Sequence, residues 1–125
     1  MNREELRRYI MEEYHAENDF PWLRHPENEV FRHPGNRKWF ALIMEVTGDR
    51  LGLPDQEKHA VVNLKCDPQQ AYFYRHVYRN VTPAYHMNKT HWNTIVLDGD
   101  VPEGELQEMI AHSYALTASR RSKKL

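Results

Sequence analysis

Apolar residues recur at i, i+4 and i+8 near the start of the chain, where Leu6, Ile10 and Tyr14 form a stripe with Tyr9 on its flank. That spacing predicts an amphipathic helix from Arg3 to about His15. Its other faces are charged, and Glu4 with Arg8 and Arg8 with Glu12 are spaced for weak i,i+4 pairs of about 0.3 kcal/mol each. The periodicity then stops. Asn18 to Pro34 carries Pro21, Pro26 and Pro34 and reads as loop, with one short strand around Glu29 to His33. Phe20 and Trp22 flank Pro21 and are expected to pin that loop to the core. After the turn Pro34-Gly35-Asn36, strict alternation places Phe40, Leu42, Met44 and Val46 on one face of a central strand. Arg37, Trp39, Ala41, Ile43 and Glu45 fall on the other. Thr47 to Lys58, with Gly48, Gly52 and Pro54, is expected to be a long, mobile connection.

The second half reads as strand, helix, hairpin and helix. His59 to Cys66 alternates, with Val62, Leu64 and Cys66 inward and Asn63 and Lys65 outward. Asp67-Pro68-Gln69-Gln70 has the form of a helix start, with Asp67 as N-cap, and the helix is expected to reach about Tyr78. Pro83 to Gly99 reads as two short strands joined by a polar turn at Asn88-Lys89-Thr90. Asp100 with Glu103 suggests a second capping box, followed by the closing-helix face Leu106, Met109, Ile110, Ser113, Tyr114 and Thr117. The expected fold is α+β, in the order α-β-β-β-α-β-β-α, an antiparallel sheet of five or six strands with the first and last helices on one face. Val62, Leu64, Phe40, Leu42, Ile95, Leu106 and Ile110 should share one core. A single domain over residues 1–125 is expected, with the basic tail at 120–125 frayed.

Composition narrows the function classes. Net charge is −1 and the pI is near 6.7, which argues against a protein whose whole surface grips nucleic acid. The distribution is polarised: residues 58–93 hold five bases against Asp67 alone, and residues 1–19 hold three bases against six acids. No apolar run approaches a membrane span and no signal-peptide core is visible, so a cytoplasmic protein without membrane contact is expected, as a monomer. The single Cys66 cannot bridge within the chain and reads as a small buried hydrophobe.

Catalytic and cofactor patterns are missing. The 8 histidines form no H-E-x-x-H, and His86 and His91 lie five apart with only Asn88 and Asn93 nearby, so no zinc or iron site and no cofactor are expected. His112 is expected to be solvent-facing or hydrogen-bonded rather than a catalytic base. No phosphate-cradling glycine loop or activated nucleophile is present. What stands out is a density of donors and rings, His86, Asn88, Lys89, Thr90, His91, Trp92 and Asn93, close to one turn. Strand alternation adds Arg37, Trp39, Asn63, Lys65 and Thr94 on the outward sheet face. A basic, aromatic face suits single-stranded nucleic acid, rings stacking on bases while Lys and Arg track phosphates. The same tryptophans could instead cover the open face of a two-layer fold, stabilising it by burial.

A resemblance adds to this. Tyr85-His86-Met87-Asn88-Lys89 and His91-Trp92-Asn93-Thr94, together with Asn63-Leu64-Lys65-Cys66-Asp67-Pro68 and His112-Ser113-Tyr114, look like the MmcQ/YjbR family of small bacterial proteins. Phe20-Pro21-Trp22 and Lys38-Trp39-Phe40-Ala41 extend the likeness over most of the chain. The resemblance implies a frataxin (CyaY)-like sheet and a DNA-binding role. The expected function is therefore a non-enzymatic, nucleic-acid-binding or regulatory module with DNA as partner. The alternative is a module that binds a protein or small anion through the 85–93 tip. An enzyme ranks third. A frataxin-like iron binder, using Glu12, Glu13, Glu17 and Asp19, ranks last, because Arg3, Arg7 and Arg8 are interleaved with those acids.

Overall fold

The first helix is capped one residue ahead of its charges. Asn2 Oδ1 accepts the Glu5 N–H and Glu5 Oε1 accepts the Asn2 N–H, both at 2.9 Å. This capping box opens α1 (Arg3–Tyr14). A computed structural model describes residues 1–118, and the tail expected to fray, 120–125, lies outside them. After α1 come β1 (Glu17–Asp19), β2 (Glu29–Arg32), β3 (Trp39–Thr47), β4 (Lys58–Lys65), α2 (Pro68–Val77), β5 (Val81–Pro83), β6 (Trp92–Val96) and α3 (Glu103–Thr117). The strands form one six-stranded sheet, order β1-β2-β3-β4-β6-β5, antiparallel throughout. The α+β fold expected from the pattern is present, and the short edge strand β1 brings the sheet to its upper expected size.

All three helices lie on one face. Leu6 and Ile10 of α1 and Leu106, Met109 and Ile110 of α3 pack with Phe31, Phe40, Ile43, Val62, Leu64 and Ile95 of the sheet. Ala71 of α2 is fully buried, and Tyr74 packs against the same cluster. The Asp67 carboxylate accepts the Gln69 N–H at 3.0 Å, so α2 starts where the Asp-Pro pair placed it.

Leu42 corrects the expected core. Arg32 pairs with Trp39 but Phe31 pairs with Ala41, so Phe40 is an extra residue in β3 and forms a bulge. Phe40 and Ala41 both point toward the helices, and from there the parity of β3 is reversed. Leu42, Met44 and Val46 therefore face away, with Val30, Val61 and Val96. This second face is not the open surface that alternation suggested. Trp22, Trp39, Leu53, Tyr85 and Met87 pack over it from loops and the start of β3, making a second small core.

Two other expectations are revised. Thr47 to Lys58 is not a loose connection: it holds a 3-10 turn, Gly48–Leu51, whose Leu51 is buried in the second core. Asp100 does not cap α3, whose N-cap is Pro102 without a side-chain bond. Its carboxylate instead accepts the N–H groups of Arg79 at 2.8 Å and Asn80 at 3.1 Å, joining the α2–β5 link to the turn before α3. Both are cases of tertiary partners outbidding local ones.

Candidate functional site

The loop between β5 and β6 is held by a closed ring of hydrogen bonds. Asn63 Nδ2 donates to the Tyr85 carbonyl at 2.9 Å, the Tyr85 N–H donates to Thr94 Oγ1 at 2.8 Å, and Thr94 Oγ1 donates to Asn63 Oδ1 at 2.6 Å. Asn63 and Thr94 are fully buried cross-strand partners. Asn63 therefore contacts no ligand, contrary to the surface expected of it; it positions the tip. Just beyond the ring, His86 sits in the left-handed region at φ 65, with its side chain exposed. A non-glycine residue there is strained and persists only where its surroundings over-determine it.

Asn88 and Lys89 also serve the loop. Asn88 Oδ1 accepts the N–H groups of Thr90 and His91 at 2.9 and 3.1 Å, an Asx turn. Lys89 Nζ donates to the Ala84 carbonyl at 2.7 Å, although the residue stays exposed. Asn93 is buried and points to the helices, where Oδ1 accepts from Arg75 Nε at 2.6 Å. It docks α2 on the sheet and is unavailable to a ligand on the opposite face. His91 is exposed, and its carbonyl accepts the Cys66 N–H at 2.7 Å.

Trp92 and Lys65 are direct cross-strand partners, half-buried on the same face. Strand parity had placed them together. Arg75 reaches the same end of β6, donating to the carbonyls of Lys89 and of Trp92, the latter at 3.3 Å. Burial lowers the Arg75 guanidinium from its ordinary value. This residue was visible in sequence only as one base on a helix, because nothing local reveals that its guanidinium wraps the end of a distant strand.

Elsewhere the expected surface is already engaged. Arg37 pairs with Glu17, and Trp39 meets Trp22 edge-on at 5.6 Å while the Arg32 guanidinium lies 5.3 Å from its ring. Asp19 pairs with Arg32 at 3.2 Å. Two of the four acids of the iron-binding alternative are thus neutralised by arginines. Among the described residues no three His, Cys, Asp or Glu side chains gather as a metal site. Burial pushes the Cys66 thiol up to about 11, with the Asp67 charge adding to it, so the thiolate is scarce near neutral pH. His112 Nε2 accepts the Asp67 N–H at 3.3 Å. Among the described residues no helix is long and apolar enough to cross a membrane.

A six-stranded antiparallel sheet with its helices on one face, and loops folded over the other to present a polar tip, defines a small α+β module. The family model described as YjbR matches residues 2–116, and the chain belongs to that family. It is 38% identical over 117 residues to "Uncharacterized protein YyaQ" of Bacillus subtilis (strain 168), covering 94% of this chain and 98% of that one. It is 32% identical to "Uncharacterized protein YbdF" of Escherichia coli O157:H7, over 82% of this chain and 75% of the relative. A crystal structure of a Pseudomonas syringae protein superimposes with a TM-score of 0.90 at 36% identity, over 94% of this chain and all (100%) of the other. A Deinococcus radiodurans protein gives a TM-score of 0.74 at 27% identity, over 97% of this chain and 84% of that one.

Proposed function

We propose that the chain is a non-enzymatic module that binds single-stranded nucleic acid around Trp92. Lys65, Arg75, Lys89 and His91 supply the phosphate contacts. The observation that carries this reading is the grouping of bases at one end of β6, with Lys65 across from Trp92 and Arg75 on the Trp92 carbonyl. In the N-terminal part of the chain Arg3, Arg7, Arg32 and Arg37 each meet a carboxylate, whereas Arg8, Arg24 and Lys38 form no ion pair among the described residues. Among the described residues, no ion pair joins Lys65, Arg75 or Lys89 to an acid. Lys65 across from the half-buried Trp92, with Lys89 and Arg75 at the same end of β6 and none of the three ion-paired among the described residues, suits a partner carrying both phosphates and flat rings. Base stacking on such a ring contributes about 1 to 3 kcal/mol per base.

A small anion at the same cluster is the second reading, favoured by Arg75, a partly desolvated cation with spare donor capacity. Anisotropy titration of a labelled single-stranded oligonucleotide separates the two. Lys89→Ala should weaken binding to every sequence alike and flatten the salt slope by about 0.7. Trp92→Leu should weaken binding while leaving that slope almost unchanged. If both variants bind as wild type does, the nucleic-acid reading falls. If inorganic phosphate binds wild type while the oligonucleotide does not, the second reading replaces it.

A further inference from the structure

The loop-covered face of the sheet carries a cleft of about 260 Å³, smaller than the roughly 300 to 1,000 Å³ of drug-sized sites, so it suits a single ring system. Its floor is Leu42 and Met44 of β3; Trp22 and Trp39 line it as an edge-on pair, and His86 and Met87 line it from the β5–β6 loop. The walls are fixed before any ligand arrives. The Asn63–Tyr85–Thr94 ring holds the start of that loop, and successive turns hold the Trp22 segment, His25 N–H to the Trp22 carbonyl at 3.3 Å and Asn28 N–H to the His25 carbonyl at 3.0 Å. Among the described residues no Lys, Arg, Asp or Glu lines the cleft. The neighbouring cleft shares His25, Asn28, Met44 and His86 with it and carries Glu27 and Glu45 together with Arg50. Charges of both signs at that edge select neither an anion nor a cation, so the occupant that fits is an uncharged, flat ring.

Asn28 says what edge that ring carries. Among the described residues no hydrogen bond engages its side-chain amide. An uncommitted carboxamide offers a donor and an acceptor side by side, the pair that matches the N6 amino group and N7 of adenine. The cleft also adjoins the surface assigned to the strand. Leu42 pairs with Asn63 and Asn63 with Thr94, a row on the same face as the Lys65–Trp92 pair and two residues along from it. The loop that supplies His86 and Met87 runs on through Lys89 and His91 to Trp92. We propose that this cleft receives one unstacked adenine base of the strand held at Trp92, its ring on Trp22, Trp39 and Met44 and its N6 and N7 edge on the Asn28 amide. The phosphates stay outside, at Lys65 and Lys89, so no charge enters the cleft. The inference rests on the nucleic-acid reading for the source of the base, not for the cleft itself.

Adenosine, which has no phosphate, is the probe, with N6,N6-dimethyladenosine, whose amino hydrogens are gone, as the comparison. Isotope-labelled wild type should bind adenosine saturably at one site, with chemical shifts moving at the amides of Asn28, Met44 and Met87 and at the indole N–H groups of Trp22 and Trp39. The dimethyl compound should bind about tenfold more weakly. Asn28→Leu should weaken adenosine about tenfold and leave the dimethyl compound within about twofold. Lys89→Ala should change neither. A deoxyadenylate oligonucleotide should move the cleft amides and those of Lys65 and Trp92 together. The proposal is overturned by no saturable adenosine binding, by shifts away from the cleft, or by an Asn28→Leu affinity equal to wild type. An oligonucleotide that moves Lys65 and Trp92 but not the cleft also overturns it and leaves the nucleic-acid reading standing. An oligonucleotide that does not bind while adenosine still fills the cleft removes that reading, and with it the strand as the source of the base.

Discussion

Asn63 and Glu29 are both fully buried, and each is tolerated because its polar atoms are answered inside the protein. In Asn63→Ala the Tyr85 carbonyl and the Thr94 hydroxyl both lose their partner. Leaving a buried group unpaired costs about 1 to 3 kcal/mol, so urea denaturation should show a loss of at least about 2 kcal/mol. Exchange of the Tyr85 amide should quicken as well. A loss under about 0.5 kcal/mol would contradict the positioning role. Glu29 accepts from Arg7 Nε at 3.0 and 2.9 Å, from Arg7 Nη2 at 2.8 Å and from Asn18 Nδ2 at 2.8 Å. Burial pushes this carboxyl up, but those bonds and the charges of Arg7 and Arg3 outweigh it, and the net shift is below the ordinary 4.5. A folded-state value below the unfolded one stabilises at higher pH and is lost as pH falls through it. Stability should therefore decline from about pH 4.5 downward, and Glu29→Gln should flatten that decline at the expense of stability near neutral pH. An unchanged pH profile in the variant would contradict this. Neither residue was legible in advance, since an Asn or Glu on a strand reads as outward until its partners on distant elements are known.

At the scale of elements, periodicity served well where a segment is continuous and poorly where one residue was inserted. The α1 stripe and the Asp67 start of α2 were legible because their determinants lie within one turn of chain. The Phe40 bulge was not, because a bulge is a property of pairing between two strands. The same bulge explains Ser113, which interval alone had read as part of the α3 face. The Ser113 hydroxyl accepts the Lys65 N–H at 2.9 Å and donates to the Phe40 carbonyl at 2.6 Å, so α3 fills the break where β3 and β4 lose their direct ladder. Ser113→Ala should cost about 1 to 3 kcal/mol, more than a buried serine's apolar area explains. Thermal unfolding checks it, and a melting temperature within a degree of wild type would remove the splice from the account. Of the expected site, the paired placement of Lys65 and Trp92 followed from alternation, which holds in β4 and β6.

For the whole molecule the polarity in sequence becomes a polarity in space. Glu4, Glu17, Asp19 and Glu29 of the first third pair with arginines, while Lys65, Arg75 and Lys89 lie at the Trp92 end of β6 without acidic partners among the described residues. A near-neutral net charge hides such a patch, and a local patch rather than a strongly basic surface sets the expected size of the effect. The most direct test is the affinity of wild-type protein for a single-stranded oligonucleotide measured from low to moderate salt. Three cations releasing counterions from a single strand predict a log–log slope of about −2, with binding in or tighter than the range of about 10⁻⁴ to 10⁻⁶ M near 0.1 M salt. A slope near zero, or no binding within that range, would contradict the account.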